Sequence, residues 1–556
     1  MSSVHTLIIS LLAAALLNSG CSLPIPSSNP TTSKPPESGL PLQSHQVEVD
    51  PHQVVGLMAY AGPERVDLFW REPNHWHDQE SWVFEVQIDP GDGQGFRRAH
   101  AGWIDIPAFS HFLAPGKAAL FRVRMLALDG NGTVTSTWPW SDLVSQSSLR
   151  MEDVDLVEDI QRASFRYFWN YRHPISGLPR EGIGGWNRNM CSVAAGGMMF
   201  FNIATGIEKG WITRPEGLQH LRNSLQFVLD KSERHHGVLP HWIHGTTGKT
   251  IPFSEKDDGA DLVETAFFIA GALFIREYVK DDDSLDAATI RDLANRLWQE
   301  VEWTWFVKNR GDGRRPLVWH WSPRHHFSID LEIVGFNESE IVYLLALASP
   351  THPVSLDSYT NGWLNSGFGH KRVALDVPLS LGREHYGPPL FFAHYSYLGI
   401  DPSALFFENK SHYEHFQDFC RVQIRWALSQ RREYSPGIWG LTAGMNPEGY
   451  GVQFPGHDNG TITPTAALAS MPYAPDDVRR CIELLYRDHA RSLWGPFGFR
   501  DGLNINKNWY SSHYIAIDVG PIAPMIQNHR TRLGWDTLMK APEIQKVLAL
   551  LADAKR

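Results

Sequence analysis

From about Asp153 to its end the chain reads as helices of two alternating kinds, and this alternation restricts the fold more than any other feature. Segments near 153–171, 213–231, 286–307, 411–429, 475–491 and 541–555 are amphipathic, with charge on one side. Segments near 191–208, 260–279, 338–349, 388–399, 463–471 and 511–529 are apolar or small on nearly every side. A helix that is hydrophobic all round has to be buried. Exposed and buried helices in alternation, about six of each, predict a mainly α body built as an (α/α)6 toroid, an inner ring wrapped by an outer one. In a toroid the loops leading into the inner helices meet at one end as a funnel.

Upstream the period changes to two. Arg65-Val66-Asp67-Leu68-Phe69-Trp70, Trp82–Ile88 and Ala119–Leu128 alternate, with Gly/Asp/Asn turns at 89–93 and 129–132. Short alternating strands between turns predict a small antiparallel β-sandwich over 47–148, ahead of the helical body at 152–556, so the chain is multidomain. Trp138-Pro139-Trp140-Ser141-Asp142 resembles the last strand of a fibronectin type III module. No convergent polar set stands out in this region, which reads as a spacer and support.

Residues 1–20 read as a lipoprotein signal peptide, because the apolar stretch Leu7–Leu17 has the length of a signal core and is too short to span a bilayer. It ends in Leu17-Asn18-Ser19-Gly20-Cys21, a lipobox-like sequence that makes Cys21 the expected lipidation site. Six Pro and eight Ser or Thr across 22–46 suit a flexible tether (21–46 with the anchored Cys21), not a packed core. The expected location is therefore the bacterial cell envelope, lipid-anchored at the outer membrane, periplasmic or surface face. Cys191, Cys420 and Cys481 are far apart and odd in number, so no disulfide framework is expected. The balance of 50 Lys+Arg against 61 Asp+Glu argues against a broad nucleic-acid surface. A monomer is expected.

Aromatic residues make up 12% of the chain, including 21 Trp, and many stand in the loops that lead into the apolar helices. Those loops hold Trp186-Asn187-Arg188-Asn189, Leu239-Pro240-His241-Trp242, Lys256–Glu264, Trp319-His320-Trp321-Ser322-Pro323, Asn337-Glu338, His394-Tyr395-Ser396, Trp439-Gly440, His457-Asp458-Asn459-Gly460 and Asp518-Val519-Gly520. Carboxylates interleaved with Trp and His are what glycoside hydrolysis needs: an acid for the leaving oxygen, a second group to activate water or attack, and flat platforms for sugar rings. Asp261 and Glu264 are spaced i,i+3 on one helix face and cannot easily flank a bond from opposite sides, so Glu338 on another helix is the expected third carboxylate. Each also has a structural reading as a cap or first-turn acid. Glu264 fits that reading least, lying in an otherwise apolar segment. Trp186, Trp242, His320, Trp321, His394, Trp439, Asp458 and Asp518 are the candidate sugar-binding residues. There is no HExxH, Walker or GxSxG motif, and no metal or cofactor is expected.

These motifs resemble the glucoamylase-like domain of glycoside hydrolase family 144, whose characterised members act on β-1,2-glucans. The resemblance covers nearly all of 155–545 and is carried by Phe165-Arg166-Tyr167-Phe168-Trp169, Lys256–Phe267, Trp319–Pro323, Asn337-Glu338, Ala348–Pro353, Leu390–Ser396, Trp439–Ala443 and Pro464–Leu468. It departs at Ala260, where Gly is usual, and at Arg532-Leu533-Gly534. The resemblance implies an (α/α)6 catalytic domain, inverting hydrolysis of β-1,2-glucan or its oligosaccharides, no cofactor, and acidic residues matching Asp261, Glu264 and Glu338. A transglycosylase on the same glucan, or a non-catalytic glycan-capturing lipoprotein, are the competing expectations.

Overall fold

The structure, a computed structural model, describes residues 50–364, 367–429 and 434–554. The expected signal peptide, the tether and Cys21 lie outside the described residues.

Two antiparallel sheets form first. One has the order β1-β2-β5, from Met58–Gly62 (β1), Arg65–Phe69 (β2) and Ala108–Phe112 (β5). The other is β4-β3-β6-β7, from Trp82–Asp89 (β3), Arg97–Arg98 (β4), Ala118–Leu128 (β6) and Val134–Thr137 (β7), with Val144–Ser147 (β8) also on β6. Period-two patterning sets the register: Phe121, Val123 and Met125 of β6 turn into the core with Val66, Leu68, Phe84 and Val86. Arg122 and Arg124 turn outward, where both guanidinium groups lie over Trp140, at 4.3 and 4.4 Å.

The rest of the chain is mainly helical. The main elements are Leu156–Asn170 (α1), Val193–Glu208 (α2), Arg214–Lys231 (α3), Leu262–Tyr278 (α4), Leu285–Gln299 (α5), Glu340–Ala348 (α6), His412–Ser429 (α7), Pro464–Leu468 (α8), Pro475–Leu493 (α9), Ala516–Val519 (α10), Ile522–Thr531 (α11), Leu533–Leu538 (α12) and Pro542–Ala554 (α13). Helices α2, α4 and α6 are buried along almost their whole length, whereas α1, α3, α5, α7 and α9 bury one face. α2 and α4 cross in close contact through glycine: a Cβ on Gly197 would overlap the Phe267 carbonyl, and one on Gly271 would overlap the Gly197 carbonyl. α3 opens with a capping box in which Thr213 and Glu216 satisfy each other's backbone N–H groups.

Three apolar segments differ from their sequence expectation. Residues 388–399 form two short 3-10 turns, Leu390–Ala393 and Tyr395–Tyr397, because Pro388 and Pro389 forbid a helical approach from upstream. The 463–471 segment shortens to α8, and 511–529 is strand and loop as far as Ile515, then splits into α10 and α11 around Gly520 and Pro521.

The sheets dock against this body through charge. Arg65 is fully buried, bonded to Asp67 on its own strand, to Asp159 of α1 at 2.7 and 2.9 Å and to Tyr486 of α9 at 2.6 Å. Its guanidinium also stacks 4.0 Å over Trp494. A second contact joins the segment between β2 and β3 to the loop ahead of α2. There Arg180 pairs with Glu72 at 2.7 Å, and Arg188 donates to the carbonyls of Trp76, Gln79 and Trp82. Among the described residues no helix is long and apolar enough to cross a membrane.

Candidate active site

Short strand pairs knit the loops ahead of the buried helices into one rim. Met190–Ser192 pairs with Trp242–His244, Ala260–Asp261 with His320–Trp321, and Gly182–Ile183 with Tyr514–Ile515. Each pair puts one loop's side chains beside the first turn of the next helix. The result is a cavity of about 1120 Å³, counting its solvent-open mouth. It is walled by Trp186, Trp242, Phe253, Phe267, Trp319, Phe391, Tyr395 and Tyr450, and floored by Glu181, Asp257, Asp261, Glu264 and Glu338. His241 and His320 are the basic groups of this lining, which includes no Lys or Arg.

Asp261 caps α4: its Oδ1 accepts from the backbone N–H of Val263 and Glu264, each at 3.0 Å. Oδ2 is left for His241 Nδ1 at 3.0 Å, with His320 Nε2 at 3.8 Å. Burial alone would raise Asp261, but the His241 hydrogen bond, both histidines and the cap hold it below the ordinary carboxylate range. Burial lowers His241, and Glu264 and Asp261 outweigh it, raising the imidazole to about 10. Glu264, one turn deeper, accepts from the Ala194 N–H at 2.7 Å. Burial and neighbouring Asp261 drive it up to about 8 despite His241. Asp257, held by His320 at 3.2 Å, is raised chiefly by burial.

Glu338 arrives from the other side, two residues before α6. Asn337 Oδ1 accepts from the Ser339 N–H, and the Ser396 hydroxyl donates to the Glu338 carbonyl while accepting from the Ile341 N–H. Burial pushes the Glu338 carboxyl to about 7, its own backbone N–H opposes this, and Asp261 adds to it. The cavity therefore brings together, from the starts of different helices, a carboxyl held below the ordinary range, Asp261, and one raised to about 7, Glu338. His241, Asp257 and Asp261 each place a donor atom within 4.8 Å of the others, a spacing that a metal ion could bridge. Asp261 and His241 already satisfy each other there.

Six of the residues singled out from sequence line this cavity: Asp261, Glu264, Glu338, Trp186, Trp242 and His320. Five do not. Trp321 sits next to His320 on a strand, where neighbours face opposite sides, and packs outward against His235 and His236. His394 is buried away from the cavity on Ser470 at 3.0 Å, and burial depresses it to about 3. Trp439 is core, 1% exposed, with its carbonyl accepting from Cys481 of α9. Asp458 organises its own loop, accepting from Trp426, Tyr434 and Gly460. Asp518 lies behind the wall, accepting from Tyr395. Conversely, His241, Asp257, Trp319 and Tyr395 stood in the right loops without being singled out. Glu181 and Tyr450 gave no spacing signal at all.

Residues 330–542 match a family model described as "Glycoamylase: Putative glucoamylase". A curated relative, an "exo beta-1,2-glucooligosaccharide sophorohydrolase (non-reducing end)" of Parabacteroides distasonis, is 36% identical over 440 residues, 75% of this chain. The match spans 60% of that relative's length. The crystal structure of a beta-1,2-glucanase from Parabacteroides distasonis superposes with a TM-score of 0.80 at 33% identity, covering 88% of this chain and 72% of that one. An endo-beta-1,2-glucanase from Chitinophaga pinensis, solved with sophorotriose and glucose, gives 0.68 at 36% identity, covering 71% and 97%.

Proposed function

The chain belongs to the glucoamylase-like family of glycoside hydrolases, family 144, and from that premise we propose that it hydrolyses β-1,2-glucan or its oligosaccharides with inversion. The observation that carries this reading is the placing of Glu338, which burial raises to about 7, and Asp261, held low by its cap donors and His241, inside one aromatic cavity. Glu338 is the general acid: it gives its proton to the leaving glycosidic oxygen. Asp261 takes a proton from the attacking water, directly or through an intervening hydroxyl, and His241 keeps it ionised. Glu264 supports α2 by accepting from the Ala194 N–H and stands 3.9 Å from His241 Nδ1. Trp186 and Trp242 are flat faces for glucose rings.

The (α/α)6 arrangement of the helical body belongs to the same proposal, supported by the alternation of buried and half-buried helices. So does a lipid-anchored place in the cell envelope, supported by the Leu17–Cys21 sequence. Exo attack is the favoured mode. The curated Parabacteroides distasonis relative is described as exo-acting, and the likeness to the beta-1,2-glucanase structure from that organism extends over 88% of this chain, beyond the helical body, where the sheet region holds the Trp186 loop through Arg188.

A digest of linear β-1,2-glucan, followed by product length and anomer over time, tests the proposal. A single short oligomer of inverted anomer from the outset supports it. Early mid-length fragments overturn the exo mode, and unchanged polymer overturns the hydrolase.

A further inference from the structure

Tyr395 has its ring in the cavity wall, between Phe267 and Phe391, and its hydroxyl donates to Asp518 Oδ1 at 3.0 Å. Asp518 is 1% exposed, and its Oδ2 meets no donor among the described residues. The group facing it is a second buried carboxyl, Asp501, whose Oδ2 accepts the Met445 N–H at 2.5 Å. Ionised carboxylates only accept, so these two can bond only if they share a proton. Burial, and then the Asp501 charge, raise Asp518 far above the ordinary carboxyl range, which places that proton on Asp518.

A directed row of hydrogen bonds follows. Tyr395 donates to Asp518 Oδ1, Met445 donates to Asp501, and a proton between the two neighbouring carboxyls completes the row. The row has a chemical consequence at the cavity surface. The one proton of Tyr395 is committed inward, so towards the cavity its oxygen has only lone pairs. The next residue, Ser396, holds the Glu338 carbonyl, so this acceptor is tied by a single peptide step to the backbone of the candidate acid.

Resting on the sugar-hydrolase reading above, we propose that Asp518, paired with Asp501, is a positioning residue that fixes Tyr395 as a hydrogen-bond acceptor, so that the subsite beside Glu338 recognises a donating sugar hydroxyl. Asparagine mimics a neutral carboxyl: its amide oxygen can accept from Tyr395 and its amide N–H can donate to Asp501. D518N is therefore expected to keep KM and kcat within about threefold of wild type on β-1,2-glucooligosaccharide, whereas D518A and Y395F each raise KM about tenfold with kcat changed less than threefold. The D518A/Y395F double variant is expected to be no worse than either single one. An infrared difference spectrum, wild type minus D518N, is expected to show a carboxylic-acid carbonyl band. D518N as impaired as D518A, or Y395F with an unchanged KM, would overturn the proposal. So would a difference spectrum showing a carboxylate band in place of the acid. The infrared arm needs no substrate, so absence of glucan turnover by the wild type would sink the substrate reading and leave the shared proton to be decided on its own.

Discussion

Glu338 and Asp261 share a cavity yet their carboxyls are shifted in opposite directions because their hydrogen-bond partners differ. Asp261 is surrounded by donors: two backbone N–H groups at a helix start and two imidazoles. Glu338 has burial and its own N–H, with Asp261 as the nearby charge. Glu338→Gln keeps the shape and removes the transferable proton, so kcat is expected to fall by roughly 10²–10⁴-fold with KM little changed. In the wild type, kcat/KM is expected to fall as pH rises past about 7, where Glu338 loses the proton it must donate. Stopped reducing-sugar assays from pH 4 to 9 read both effects. Glu264 makes a separate prediction. Its folded pKa of about 8 lies above the unfolded carboxyl value, so its contribution to stability is complete below about pH 4.5 and is lost as pH rises through about 8. Glu264→Gln cannot ionise in either state, and is expected to gain about 1–2 kcal/mol at pH 8 and little at pH 4, read by thermal unfolding. That Asp261, Glu264 and Glu338 would come together was legible from their loops ahead of apolar helices, and Glu264 stood out because a carboxylate in an apolar helix is costly without a partner or a task. Asp458 and Asp518 were not distinguishable from them: loop acids beside aromatics look alike until their donors are seen to be structural.

At the scale of elements, the buried helices were legible from all-round apolarity, and the close approach of α2 and α4 explains why glycines sit inside both. Gly271→Ala puts a methyl where the Gly197 carbonyl lies, and backbone cannot rotate out of the way as a side chain can. A loss of about 3 kcal/mol is expected, measured by urea unfolding, with residual activity falling because Ser192 and Asp261 begin these two helices. An unchanged midpoint would mean that the helices separate freely. The 388–399 segment shows where pattern reading fails. Its composition is as apolar as α4, but two prolines and a tight turn make it 3-10, which is what aims His394, Tyr395 and Ser396 in three directions at once. Periodicity cannot report such a turn, because each of its residues is buried for a different reason.

At the scale of the whole molecule, the sheet region braces a loop of the wall around the site without supplying a residue to the cavity lining. Sequence alone could not show this, since Arg188 and Trp76 lie 112 residues apart and no spacing pairs them. Arg188 follows Trp186 by two residues, its guanidinium lies 3.9 Å over the Trp76 ring, and its three carbonyl acceptors all come from the sheet region. Asn189 adds a bond to the His77 carbonyl at 3.3 Å. The position of Trp186 is therefore set from outside the helical body. Arg188→Leu is expected to raise KM for oligosaccharides about five- to tenfold with kcat within about threefold, since the acids are untouched and an aromatic platform is loosened. Tyr486→Phe weakens the same docking at its far side, where the hydroxyl accepts from Arg65 and donates to the Pro63 carbonyl at 2.7 Å. It is expected to cost about 1–2 kcal/mol of stability and leave KM unchanged. The two variants separate local positioning from general docking. If Tyr486→Phe raises KM as much as Arg188→Leu does, the sheets act on the site by rigid attachment alone; if neither moves KM, the Trp186 loop holds its shape without them.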